Sequence, residues 1–316
     1  MTIALSQRSV LSANLICLAS MLTWAAGLPA AQLVIPLVPP VTLTALRCLL
    51  AAAVLMPLWW AVDGGRVILA ANWGKALLVG GVCIGLGAVL LVVAQAHTDP
   101  VTVAVATAIM PVIGIGLEVM FDGRRLTGAL ILGLLLSLAG GFMAYGAGVG
   151  SLKIGIGAVA ALLSVLAFTW GSRATVTAFP DLSPLGRTAI TVTSAALVST
   201  AAALGYGLFG GPPTQWAAIG PAEVGALMLF GIGSLAVSQI LWIMAIGRLG
   251  IGMSSLHMNA VPFYVMLILF LLGHGWNWPQ ALGAAVVGLG VLIAQGVLRG
   301  PMDRIGRAAG RGRPGR

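Results

Sequence analysis

Ten windows of about twenty apolar residues follow one another along the chain: 11–36, 40–61, 74–96, 100–120, 126–147, 153–176, 183–208, 221–246, 251–272 and 277–298. A helix needs about 20 such residues to cross the ~30 Å hydrocarbon core of a bilayer. The breaks are short and carry turn or charge signals, among them "LVPP" (37–40), "DGGR" (63–66), "HTDP" (97–100), "FDGRR" (121–125) and "GGPPTQ" (210–215). Loops this short make neighbouring helices antiparallel and leave no room for a soluble domain. Composition agrees: 7% of residues are charged and 59% hydrophobic, against about 25% charged in a soluble domain. The sequence therefore predicts an all-α integral membrane protein of ten transmembrane helices. Its first window is expected to stay as a span, being too long for the apolar core of a cleaved signal.

The cationic residues set an orientation. Arg8, Arg66, Lys75, Arg124, Arg125, Arg173, Arg187, Arg248 and the six arginines of 299–316 fall on one side of the predicted membrane; Lys153 alone falls on the other, and Arg47 lies inside a span. A bias of 14 to 1 places both termini in the cytoplasm. The last stretch, 299–316, is rich in Arg, Gly and Pro and is expected to be a disordered basic tail facing anionic lipid rather than a nucleic-acid arm. Three scattered cysteines, Cys17, Cys48 and Cys83, sit in apolar runs and imply neither disulfides nor a metal site.

The chain is also duplicated. At an offset of 151, Gly74 pairs with Gly225, Leu90 with Leu241, Ala94 with Ala245 and Pro111 with Pro262. At 150, Gly133, Gly140, Ala144 and Gly146 fall on Gly283, Gly290, Ala294 and Gly296; at 144, Ser20, Leu22 and Gly27 fall on Ser164, Leu166 and Gly171. Five spans per copy is an odd number, so residues 1–150 and 151–298 are expected to form inverted repeats. Such repeats place a binding site near the midplane and open it to either side in turn. This points to a transporter and to no enzyme.

Arg47 after "PPVTLTAL", Pro111 in "ATAIMPV" with its counterpart Pro262, and "QALGAAVVGLGVLI" (280–293) resemble the drug/metabolite transporter superfamily in its EamA-type branch. Within it the pattern is most similar to YddG-type amino-acid exporters. The resemblance implies a bacterial inner-membrane carrier acting as a monomer or weak homodimer, with the first, third, fourth, sixth, eighth and ninth spans lining a central cavity. Members often carry Gly-Glu after the fourth and ninth spans; here the pairs are Gly123-Arg124 and Gly273-His274, so no role tied to those glutamates carries over.

Polar residues inside the spans supply the candidate site. "SSLHMNAVPFYVMLILFLL" (254–272) puts His257 and Asn259 beside Pro262. Proline cannot donate to the carbonyl four residues back, so Pro262 and Pro111 are expected to free the carbonyls of Met258 and Thr107 next to a cavity. Gln239 and Trp242 in the eighth span and Gln95 at the end of the third extend this wall. Ser20 and Trp24, with Ser164 and Trp170 in the second copy, complete the candidate substrate-binding set. Trp59, Trp60, Trp73, Trp216, Trp276 and Trp278 are expected at the lipid interfaces. Arg47 suits either capture of a substrate carboxylate or a bond to carbonyls of the first repeat. Glu118, at the edge of the fourth span, is expected to pair with Arg124 or Arg125.

No carboxylate occupies a span centre, which disfavours efflux of lipophilic cations, the alternative within transport. An intramembrane hydrolase would need an activated nucleophile beside an oxyanion hole, and no such motif is present. Dispersed glycines give no phosphate loop. No cofactor, metal or nucleic-acid partner is expected, only a small-molecule substrate and the lipid bilayer. His257 is the one candidate for proton coupling. A charged imidazole is costly to bury, so transport is expected to run down the substrate gradient.

Overall fold

The structure, a computed structural model, describes residues 7–97, 106–145 and 155–296. Side chains of Gln95, Lys153 and Asp99, Gly146, and the tail 299–316 lie outside the described residues. Every apolar window carries a helix: α1 Ser9–Val34, α2 Pro40–Asp63, α3 Trp73–Ala94, α4 Ala106–Phe121, α5 Gly128–Met143, α6 Ile156–Thr177, α7 Pro184–Leu208, α8 Pro221–Leu249, α9 Ile251–Leu271 and α10 Trp278–Ala294. Seven of these are long and apolar enough to cross a membrane, and α4, α5 and α10 are shorter apolar helices. Among the described residues there is no strand. A six-residue helix, Gly65–Ala70, links α2 to α3.

Local chemistry explains the boundaries. Asn72 caps α3 by accepting the Lys75 N–H at 2.9 Å, Ser183 caps α7 by accepting that of Gly186 at 3.0 Å, and Asn277 caps α10 by accepting that of Gln280 at 3.1 Å. Pro40, Pro184 and Pro221 open α2, α7 and α8, where no helical N–H is lost. Gly250, with φ 82°, reverses the chain between α8 and α9. A Cβ there would be strained and would strike the Glu118 carboxylate.

The helices pair in a regular way. α2 lies along α7, α4 along α9 and α5 along α10; α1 runs beside α8 and α9, while α6 runs beside α3 and α4; α2 touches α8, and α7 touches α3. Exchanging each helix for the one five places away leaves this description unchanged. The close approaches follow the same exchange. Gly27 of α1 is pressed against Ser234 of α8, and Gly171 of α6 against Cys83 of α3; Gly231 abuts α2 at Arg47 and Leu50, and Gly80 abuts α7 at Thr191. Gly133 and Gly140 of α5 meet the carbonyls of Gly290 and Gly283 on α10. Small residues allow this approach where lipid supplies no hydrophobic drive between helices. Both α3 and α8 also carry wide, π-type turns, at Leu77–Leu86 and Leu229–Val237.

The central core brings Cys17, Met21 and Ala25 of α1 against Val165 of α6, Trp242 and Ile243 of α8, and Ile251 and Val261 of α9. All three cysteines are free. One tryptophan departs from the interfacial expectation: Trp59 is fully buried, 6.4 Å from the Trp73 ring, within the α2–α3–α7 core. Trp60, Trp216 and Trp278 are exposed.

Candidate functional site

α9 is not one continuous helix. Ile251–Leu256 is α-helical, His257–Ala260 tightens to three residues per turn, and Val261–Leu271 resumes the α form behind Pro262. The tight turn corrects the expectation of a freed carbonyl, because the Val261 N–H donates to the carbonyl of Met258. Pro111 sits in the first turn of Met110–Phe121, after a break at Ile109. The two prolines therefore begin new helical segments at matching places in α4 and α9.

His257 and Asn259, two residues apart, point to different faces of the helix. Asn259 Nδ2 donates to the Ser137 carbonyl at 3.2 Å and its Oγ at 3.1 Å, facing α5. His257 lines instead a cavity of about 530 Å³ between α1, α9 and α10, which Asn14, Tyr264 and several leucines and alanines also line. Its Nδ1 lies 3.2 Å from the Met253 carbonyl. The structure does not bring His257 and Asn259 to one space.

The other candidates divide into bonded, unpartnered and outward-facing groups. Ser20 Oγ donates to the Ser238 carbonyl at 2.8 Å, tying α1 to α8. Ser164 Oγ donates to the Gly87 carbonyl at 2.7 Å, tying α6 to α3. Trp242 is buried and its Nε1–H donates to Ser172 Oγ at 3.2 Å. Trp24 packs half-buried against the central core, and its carbonyl accepts from Ser234 Oγ at 3.0 Å. Trp170 points outward, edge-on to Phe121 with ring centres 5.2 Å apart. Gln239 of α8 and Ser254 of α9 are buried, and neither Gln239 Nε2 nor Ser254 Oγ has a partner. A buried polar group without a partner costs about 1–3 kcal/mol, and neither atom can reach water in hydrocarbon.

Arg47 reaches across to the second half of the chain, not to the first. Its Nη2 donates to the Ser234 carbonyl at 3.4 Å and its guanidinium lies 4.2 Å from the Phe230 ring centre. This meets the carbonyl-bonding expectation with the partner helix corrected to α8.

The densest polar cluster is at the end of the bundle where α4 and α6 finish and α9 begins. Glu118 is 4% exposed, pairs with Arg124, and accepts the Gly252 N–H at 2.9 Å. Asp122 pairs with Arg173 of α6 through the Nε and Nη2 edge of the guanidinium, the Nε bond being 2.9 Å. Arg248 donates to Ser12 of α1 at 3.2 Å. Glu118, Asp122, Arg124 and Arg173 line a vestibule of about 690 Å³, and Arg248 and Ser12 lie outside its lining. Glu118 with Arg124 follows from their spacing. Asp122 with Arg173 and Trp242 with Ser172 join residues far apart in sequence, and nothing in the local pattern marks them.

This arrangement of apolar helices and buried polar seams is that of a multi-pass membrane protein. Residues 11–146 match the profile of the EamA-like transporter family. An uncharacterized transporter, YyaM of Bacillus subtilis (strain 168), is 30% identical over 121 residues, which is 38% of this chain and 38% of that protein. The chain thus covers well under two thirds of that relative. A protein of known crystal structure superposes with a TM-score of 0.75 at 22% identity, over 91% of this chain and 99% of its own. That likeness shows a shared fold.

Proposed function

We propose that the chain is a secondary transporter that exports small metabolites, amino acids foremost, across a bacterial inner membrane by alternating access. In this reading all ten helices cross the membrane, residues 1–150 and 151–298 are inverted halves, and the tail 299–316 and both termini are cytoplasmic. The charged end of the bundle then faces the cytoplasm.

One observation carries the reading. The bond from Ser20 to the Ser238 carbonyl and the bond from Ser164 to the Gly87 carbonyl join residues that the duplicated sequence equates. The contacts of Gly27 and Gly171 do the same. Two halves holding each other by the same contacts can exchange conformations, which is what alternate opening requires. The substrate site is assigned to the midplane seam near Gln239, Trp242 and Ser254, where an amide donor and a hydroxyl are left for a zwitterion's polar groups. The EamA-like match and the transporter name of the relative support the class, and the likeness to YddG-type exporters supports amino acids as cargo.

Counterflow in liposomes tests this. Vesicles holding the purified chain and preloaded with unlabelled amino acids should accumulate labelled ones transiently, and Gln239→Ala should cut the initial rate by about tenfold, roughly the ~1.4 kcal/mol of one charge-assisted hydrogen bond. Absence of counterflow with every amino acid would remove the substrate assignment.

A further inference from the structure

The vestibule at the charged end has more guanidiniums than carboxylates. Arg124, Arg125 and Arg173 line it together with Glu118 and Asp122. Glu118 engages Arg124 and Asp122 engages Arg173, which leaves Arg125 with no partner among the described residues. The Arg173 guanidinium presents its Nε and Nη2 edge to the two oxygens of Asp122, the fork that any carboxylate fits. It also lies 5.1 Å from the ring centre of Phe121, which holds the fork in place. Val176, Ile246 and Ile251 supply apolar wall beside the charges.

These pairs are also fastenings. Asp122 follows α4 and Arg173 is on α6, so their pair closes α4 onto α6. Glu118 on α4 accepts the N–H of Gly252 at the start of α9. While both hold, α4 stays joined to α6 and to α9.

We propose that the vestibule is a docking site for carboxylate-bearing solutes, and that the solute's carboxylate opens this end by replacing Asp122 on Arg173 while Arg125 holds the newcomer. Carboxylate for carboxylate leaves the partly exposed fork satisfied throughout, so the exchange avoids an unpaired guanidinium. The released Asp122 is already 43% exposed and is resolvated. The proposal rests on the transport reading for its direction, and its test is separate.

The test uses the full chain in nanodiscs, with Cys17, Cys48 and Cys83 replaced by Ala and a reporter cysteine at Ile246, or at Val176 should Ile246→Cys fail to fold. A hydrophilic maleimide reads the opening. Leucine, and acetate as the minimal carboxylate, should speed modification by about fivefold or more. Leucinamide, which lacks the carboxylate, and inorganic phosphate should not. Asp122→Asn should react fast without solute, and Arg125→Gln should blunt the response to leucine. The proposal is overturned if neither leucine nor acetate acts, if leucinamide acts equally, if phosphate alone acts, or if Asp122→Asn stays as slow as its parent. Counterflow that succeeds while leucine leaves the reporter unmoved would spare the transport reading and reject this one. A reporter response without counterflow would do the reverse.

Discussion

α4 ends at Phe121 and turns at Gly123 with φ 66°; α9 ends at Leu271 and turns at Gly273 with φ 93°. The backbone device is the same and the side chains are not. Around the first turn stand Glu118, Asp122, Arg124 and Arg125, fastened to α6 and α9. Around the second, residues 268–275 contain no Asp, Glu, Lys or Arg. There Phe270, Phe263 and Trp278 meet Trp276 edge-on, with ring centres 5.2, 6.3 and 5.8 Å away. Of these two turns, one is held by ion pairs and the other by aromatic edges. Screening by salt weakens the first, whereas aromatic packing is insensitive to it. If the halves trade conformations, solution conditions can bias which end is open without touching the centre.

The most damaging way to break the comparison is at Glu118. Glu118→Ala leaves the Gly252 N–H and the partly exposed Arg124 guanidinium without their partner, a loss of about 2–3 kcal/mol. Leu269→Ala, at the matching place on half-buried α9, should cost less than about 1 kcal/mol, because lipid and helix neighbours are equally apolar. Unfolding midpoints of the two variants in one detergent check this. Equal losses would mean that the charged end fastens nothing.

A smaller effect sharpens the comparison by showing where the halves do agree. Ser20→Ala and Ser164→Ala each remove one hydroxyl-to-carbonyl bond between equivalent helix pairs, worth about 0.6–1.5 kcal/mol. The two losses should match each other, and the double variant should show their sum, since the serines share no partner. Unequal losses beyond measurement error would argue that the two bonds are not counterparts.

Much of this was legible in the chain. Apolar windows placed every helix to within a few residues, because length and hydropathy decide helices in lipid. The glycines that mark the sequence repeat sit where helices come close, Gly27 on Ser234, Gly171 on Cys83, and Gly133 and Gly140 on the carbonyls of Gly290 and Gly283. The side-chain directions were not legible. The expectation that His257 and Asn259 share a wall fails because residues two apart on a helix point to different faces, and here the two meet different neighbours. Trp59 and Trp60 are adjacent and look alike in sequence, yet one fills the core and the other is 66% exposed. Such outcomes depend on helix rotation, which packing sets and hydropathy does not encode. Ser172 and Asn14 carry no mark in the sequence for the same reason: their partners, Trp242 and Gln295, lie 70 and 281 residues away along the chain.

The ion-pair end should reveal itself by salt more gently than by truncation. Asp122→Asn removes a partly exposed pair and should cost about 0.2–1 kcal/mol at low ionic strength. That cost should shrink when salt is raised to about 1 M, where the screening length is about 3 Å. Unfolding of the parent and the variant, each at low and high salt, measures it. A cost that is unchanged by salt would show that Asp122 acts by shape and not by charge.

The smallest expected effect concerns protons. A proton-driven carrier needs a titratable group that each end can reach in turn. Among the described histidines, His97 and His274 are exposed and only His257 is buried. His257 faces the cavity between α1, α9 and α10, where no Asp or Glu is among the lining residues. Neither Gln239 nor Trp242 is among the residues that line that cavity, so a proton held there would not sit among the groups proposed to hold substrate. Cost of burying the charged ring acts in the same direction. In liposomes, a pH difference of about one unit, enough to change the protonated fraction of an ordinary histidine severalfold, should alter uptake by less than about twofold, and His257→Gln should leave that ratio unchanged. Several-fold stimulation lost in His257→Gln would make His257 the coupling group. The side cavity, and not the contrast between the two ends, would then be where energy enters the cycle.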